Sequence, residues 1–105
     1  MKSIDSVQIL EDAAEDLAAG KRFYDACEEG VGRYFFDCLV TDIESLRIYG
    51  GIHGVEFGFH RLLSKRFPFA IYYDLEGSTA RVAAVLDMRR DPAWIRTELQ
   101  KRADQ

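Results

Sequence analysis

The residues with the clearest chemical potential lie late in the chain, in Asp87-Met88-Arg89-Arg90-Asp91-Pro92-Ala93-Trp94-Ile95-Arg96. Two adjacent arginines followed by a tryptophan and a third arginine can hold phosphate or carboxylate groups through planar, bidentate contacts. The competing reading is structural, with Arg89 or Arg90 pairing with Asp87, Asp91 or a carboxylate of the first helix, and Trp94 packing as a lid on the core. Asp91 before Pro92 reads as a helix cap, not as an acid catalyst. His53 and His60 titrate near neutral pH, but each stands alone in sequence and reads as a structural or surface residue. Cys27 and Cys38 form no CxxC pair and have no nearby histidine, so they read as small buried hydrophobes; no metal site and no cofactor is expected. Glu11, Asp12, Glu15 and Asp16 crowd a helix start, where the helix dipole favours acids, and read as a solvated face. No nucleophile shows a recognisable local catalytic signature.

Those residues must be positioned by the elements around them. Val7 and Ile9 alternate with polar neighbours in a short opening strand. From Asp12 to about Glu29, Ala13, Leu17, Gly20, Tyr24 and Cys27 recur at helical spacing. Gly30-Val31-Gly32 breaks the pattern, and a second helix runs to about Tyr49, where Gly50-Gly51 stops it. Its stripe of Phe35, Phe36, Leu39, Val40, Ile43 and Leu46 is wider than one facing helix covers, which predicts an exposed apolar surface for a partner.

Three strands follow. Phe57, Phe59, Arg61 and Leu63 share one face of the first, and Phe69, Ile71, Tyr73 and Leu75 one face of the second. Glu76-Gly77-Ser78 is a hairpin turn, and Val82, Ala84 and Leu86 oppose Ala83 and Val85 on a third strand that is apolar on both sides. A last helix runs from Pro92 through Leu99. The order β-α-α-β-β-β-α predicts an α+β fold, with an N-terminal strand and a helical hairpin packed on a small antiparallel sheet, as one domain over 1-105.

The 105 residues carry 48% hydrophobic and 30% charged side chains, the content of a folded globular protein. No apolar run approaches the ~20 residues of a membrane span, and the N-terminus lacks the apolar block of a signal peptide, so a cytoplasmic protein without membrane contact is expected. Net charge is -4, acidic over residues 1–29 and basic over 60–105. That balance is unlike a strongly basic nucleic-acid binder.

The stretch from Phe57 to Tyr73, with Arg66-Phe67-Pro68-Phe69-Ala70-Ile71-Tyr72-Tyr73 at its end, and the stretch Val82 to Pro92, with Val85-Leu86-Asp87-Met88-Arg89-Arg90-Asp91-Pro92, resemble the RelE/ParE superfamily of type II toxin–antitoxin toxins. Ala13 to Leu17 and Arg22-Phe23-Tyr24 are similar to that family's first helix. The resemblance implies a toxin wrapped by a cognate antitoxin, which alone would touch DNA. ParE-type members inhibit DNA gyrase; RelE-type members cut mRNA on the ribosome. RNA cleavage needs a base, an acid and cations about the phosphate. The ribonucleases supply a strand arginine where Ala70 stands and a Tyr or His after the last strand, and none follows Tyr73 here, although Arg89 matches a second arginine. The ParE-like, non-catalytic branch is therefore favoured, with Arg61, Arg89, Arg90, Trp94 and Arg96 as target-binding residues and the second-helix stripe as the antitoxin surface. A RelE-like ribosome-dependent mRNA endonuclease and a degenerate, non-toxic antitoxin-binding module are the alternatives.

Overall fold

The computed structural model describes residues 4–103. Strand β1 (Ser6–Ile9) leads into helix α1 (Glu11–Cys27), and α2 (Val31–Glu44) folds back beside it. A one-turn helix α3 (Leu46–Tyr49) follows, then strands β2 (Val55–Glu56), β3 (Phe59–Leu63), β4 (Phe69–Glu76) and β5 (Thr79–Asp87), and helix α4 (Pro92–Ala103). The five strands form one sheet in the order β1-β5-β4-β3-β2. The α+β class holds, with one difference: β1 pairs with β5 in parallel, and the other pairs are antiparallel. A parallel neighbour needs a long crossover, which the helical hairpin and three strands provide.

The hairpin turns at Gly30, whose φ of 89° is left-handed backbone that suits glycine. Asp25 of α1 reaches across and accepts the Gly32 N–H at 2.8 Å, satisfying a donor at the otherwise uncapped start of α2. The hairpin covers one face of the sheet, burying Ala13, Leu17, Phe35, Leu39, Ile43 and Leu46 against Phe69, Ile71, Tyr73, Val82 and Val85. Helix α4 lies on the other face, where Ile95 and Leu99 pack with Phe59, Ala70, Tyr72, Ala83, Ala84 and Leu86.

Several local expectations are corrected. Val82 and Ala84 lie on opposite faces, because the register shifts at Tyr72/Tyr73: Tyr72 pairs with Ala84 and Tyr73 with Val82, leaving Ala83 as the extra residue of a β-bulge. Strand β3 starts at Phe59, not Phe57. Phe57 (φ 54°) and Gly58 (φ 86°) form the two-residue turn of a β2–β3 hairpin, and positive φ at both positions marks a type I′ turn. The second helix breaks at Ser45, where the Ser45 hydroxyl donates back to the Asp42 carbonyl. Helix α4 runs one turn beyond Leu99. Cys27 is exposed and Cys38 half-buried, so neither is the buried small hydrophobe expected.

The largest correction concerns Asp16. It is no solvated acid: its carboxylate accepts the Val85 N–H at 2.9 Å and two bonds from the Arg102 guanidinium. Arg102 also donates to the Ala83 carbonyl at 3.0 Å and to Glu98 at 3.0 Å. Only 9% of the Arg102 side chain and 16% of the Asp16 side chain are exposed. Removing Asp16 leaves the Val85 N–H unpaired and takes from Arg102 its bidentate partner, and removing Arg102 leaves the Ala83 carbonyl unpaired and Asp16 without a cation, a loss of about 3 kcal/mol in either case. Urea unfolding of Asp16→Ala, Arg102→Ala and the double variant checks this, and the double variant should lose much less than the sum of the singles.

Candidate functional site

Strand β1 is only four residues long, so β5 runs past it and leaves an edge uncovered between α1 and α4. Along this edge lies a groove of about 410 Å³. Ala19, Gly20 and Phe23 of α1 form one wall, Val85 and Leu86 of β5 the floor, and Trp94 of α4 the other wall. Asp16 stands at the α1 side, and Asp87 and Arg90 at the strand exit. Phe23 is 55% exposed and adds an aromatic ring to the accessible apolar surface of the groove.

At the strand exit the arginines divide. The Arg89 guanidinium grips both oxygens of Asp87, from Nε to Oδ1 at 2.9 Å and from Nη2 to Oδ2 at 2.7 Å, and the Arg89 N–H adds a bond to Oδ1. This is the structural pairing weighed against a binding role. The Arg89 hydrogen bond, backed by its charge, holds the Asp87 carboxyl below the usual carboxylate range. Arg90 has no carboxylate partner among the described residues and stacks on Trp94 with its guanidinium carbon 3.7 Å from the ring centroid, a cation–π contact that leaves its edge donors free. Asp91 caps α4, accepting the Ala93 N–H at 2.8 Å, as its position before Pro92 implied.

Arg96 does not join this group. Residues 94 and 96 lie about 200° apart around a helix, so the Arg96 and Trp94 side chains leave α4 in opposite directions. Arg96 reaches the Phe57 ring of the β2–β3 turn at 5.7 Å. Arg61 on β3 sits beside the Tyr72 phenol. Arg89, Arg90 and Trp94 thus share the β5 exit, Arg96 turns to the β2–β3 turn, and Arg61 stands beside Tyr72, whose hydroxyl reaches the Met88 sulfur at 3.5 Å.

The expected antitoxin stripe is corrected as well. Phe35, Leu39, Ile43 and Leu46 are buried in the core beneath the hairpin and offer no surface to a partner. Phe36 remains 39% exposed and Val40 half-buried. The stripe is wide because α2 meets both α1 and the sheet, and each contact needs its own flank.

Sequence reasoning missed Tyr24 and Phe23 as site residues. The Tyr24 hydroxyl lies 3.4 Å from Arg89 Nη2, while its ring packs among Phe35, Phe67 and Phe69. Tyr24 and Arg89 are 65 residues apart, and no short-range pattern joins them. Ala70, at the position assigned to a ribonuclease arginine, is fully buried in the α4 cluster.

The fold has a solved counterpart. The chain is similar to one in the structure "Chromosomal ParDE TA system from P. aeruginosa", with a TM-score of 0.73 and 17% identity, covering 80% of this chain and 96% of that one. The fold is one that a ParDE system also uses. No protein-family model matches the chain, and no curated protein matches it. Among the described residues no helix is long and apolar enough to cross a membrane. In this chain the divided arginines follow the end of its longest strand, β5.

The Asp87–Arg89 pair has a pH signature. A carboxyl whose folded pKa lies below its ordinary 3.8 contributes stability that is present above that value and is lost as pH falls through the folded pKa. Thermal unfolding of the native chain should therefore show an acid-labile component below about pH 4. In Arg89→Ala that component should shrink, and the melting temperature at pH 7 should fall by the matching amount, a small one because the Arg89 side chain is 56% exposed.

Proposed function

We propose that this chain is the toxin of a type II toxin–antitoxin pair, ParE-like in action: it binds DNA gyrase and inhibits it without chemistry of its own, and a cognate antitoxin neutralises it in the cytoplasm. The observation that carries the reading is the fold shared with the P. aeruginosa ParDE structure. The state of the strand exit supports the non-catalytic branch. Ribosome-dependent cleavage asks for a general base, a general acid and phosphate-binding cations. Here the Arg89 cation is neutralised by Asp87, Ala70 is buried, and neither histidine lies near the groove. Arg90 stacked on Trp94 has the composition of an interface anchor, a rigid aromatic with a planar cation whose donors are free. On this reading Arg89, Arg90 and Trp94 contact gyrase, with further contacts from Arg61 beside Tyr72 and Arg96 at the β2–β3 turn.

The antitoxin contact moves from the α2 stripe to the groove between α1 and α4. The groove is apolar along its floor, exposes Phe23, and carries Asp16, Asp87 and Arg90 about it, which suits an amphipathic segment that folds on binding. Contact with DNA comes through the antitoxin alone.

One observation favours the ribonuclease alternative. The Tyr24 hydroxyl beside Arg89 is a tyrosine–arginine pair of the kind RNA cleavage uses, supplied from α1 and not from the C-terminal segment. The two readings separate in a direct experiment. Expression of the chain alone should arrest growth, and the product of the adjacent gene should relieve the arrest. The purified chain should inhibit gyrase supercoiling, and Arg89→Ala/Arg90→Ala should lose at least tenfold in potency while staying folded, with antitoxin capture weakened less than in a groove-wall variant because Arg90 alone of the two lines the groove. Phe23→Glu should lose antitoxin capture. Codon-positioned mRNA cleavage in a translating extract, abolished by Tyr24→Phe, would instead assign the chain to the ribonucleases; no growth arrest at all would make it the degenerate antitoxin-binding module.

A further inference from the structure

Both histidines, unused by the reading above, meet at one buried phenol on the hairpin face of the sheet. Tyr73 of β4 is fully buried, and its hydroxyl accepts the Gly51 N–H at 2.9 Å and bonds His53 Nδ1 at 2.5 Å. His60 of β3 stacks on the Tyr73 ring, with centroids 5.0 Å apart, and its Nδ1 bonds the His53 carbonyl at 2.7 Å. Three bonds thus tie the segment 51–53 down, and that segment leads directly into β2, the last strand of the sheet.

The partners fix where each proton sits. A buried phenol must donate its proton to an acceptor, and with Gly51 donating to the oxygen, His53 Nδ1 is the acceptor. His53 is then neutral with its proton on Nε2. A second proton can only enter at Nδ1, the atom that Tyr73 occupies. His60 differs, because a carbonyl partner requires a proton on Nδ1 and charging His60 at Nε2 leaves that bond intact. The groups facing His53 are Tyr73 from β4 and His60 from β3; the Gly50 and Ile52 N–H groups donate to the Leu46 and Tyr49 carbonyls of α3, and the Gly54 carbonyl accepts the Arg61 N–H of β3, so the two ends of the segment are anchored and its middle rests on His53 and Tyr73. Among the described residues no carboxylate pairs with either imidazole.

We propose that residues 50–54 form a pH-sensitive strap: protonation of His53 breaks its bond to Tyr73 and frees the strap with the β2 edge, while the rest of the sheet stays folded. Burial, with the nearby His60, pushes the His53 imidazole below its ordinary 6.5, in line with that geometry. A base with a lowered folded pKa favours the closed strap at high pH. Closure weakens as pH falls below 6.5 towards the folded value, where the open state binds the extra proton.

The test is an NMR titration of the full chain from pH 8 to pH 5, following both imidazoles and amide exchange corrected for its intrinsic pH dependence. His53 should titrate below 6.5. Protection of the Gly51 amide should fall at least tenfold between pH 7.5 and pH 5, with β4 and β5 amides unchanged. His53→Gln, whose amide oxygen can still accept from Tyr73, should keep Gly51 protected across the range and remove the pH dependence. Tyr73→Phe should leave Gly51 unprotected at both ends and move His53 up towards 6.5. A His53 midpoint at or above 6.5, Gly51 protection that ignores pH, or parallel loss of β4–β5 protection would each overturn the strap.

Discussion

The fold depends on how the bare edge of β5 is closed. Pairing with β1 ends at Ile9 and Val82, with the Leu10 N–H donating to the Val82 carbonyl, and five residues of β5 continue beyond it. An open strand edge presents unpaired donors and acceptors that invite another strand. Asp16 comes to this edge from the hairpin layer and Arg102 from the α4 layer, and together they take the Val85 N–H and the Ala83 carbonyl. One ion pair therefore satisfies the edge and fastens the two layers around it. Helix α4 needs the fastening. Its fully buried apolar side chains are Ile95 and Leu99, worth roughly 3–6 kcal/mol together. Ordering its twelve residues costs on the order of a dozen kcal/mol of backbone entropy before helical hydrogen bonds offset it.

The β-bulge serves the same closure. By inserting Ala83, β5 turns Ala83 and Ala84 towards α4 in succession and swings the Ala83 carbonyl within reach of Arg102. Nothing local in Ala80-Arg81-Val82-Ala83-Ala84-Val85 announces this. A two-residue period is legible only when one face is polar, and here both faces are apolar, so every phase fits equally well. The Phe57-Gly58 turn was hidden for a related reason: an aromatic residue favours strands, and its positive φ is imposed by the hairpin, with Gly58 as the sole local signal. Strands β4 and β5, the two long helices and the Asp91 cap were legible because each carries its own signal, a stretch of alternation, a 3.6-residue stripe or a capping residue.

The site was legible only in part. Arg89, Arg90 and Trp94 are contiguous, so a strand exit followed by a capped helix brings them together. Arg61 and Arg96 were grouped with them by residue type alone, and helical geometry separates Arg96 from Trp94. The α2 stripe misled because counting apolar residues gives the width of a face and not the number of neighbours that cover it. Asp16 meets Val85 and Tyr24 meets Arg89 across 69 and 65 residues of sequence, and Phe23 comes to the groove wall across from Trp94, placements that only the packed sheet creates.

The division between Arg89 and Arg90 follows from the turn that carries them. Asp87 ends β5 half-buried, and Arg89 two residues on can reach it with both side chain and backbone. The Arg90 N–H donates to the Asp87 carbonyl and tightens the same turn, which aims the next guanidinium away from the acid and over Trp94. Trp94 is held in turn by the first turn of α4, which Asp91 caps. One arginine therefore completes the strand end and the other is left with open donors above an aromatic plane. A partner carboxylate or phosphate meeting that plane encounters a cation with little conformational freedom left to lose, the condition under which a single exposed charge contributes most to binding.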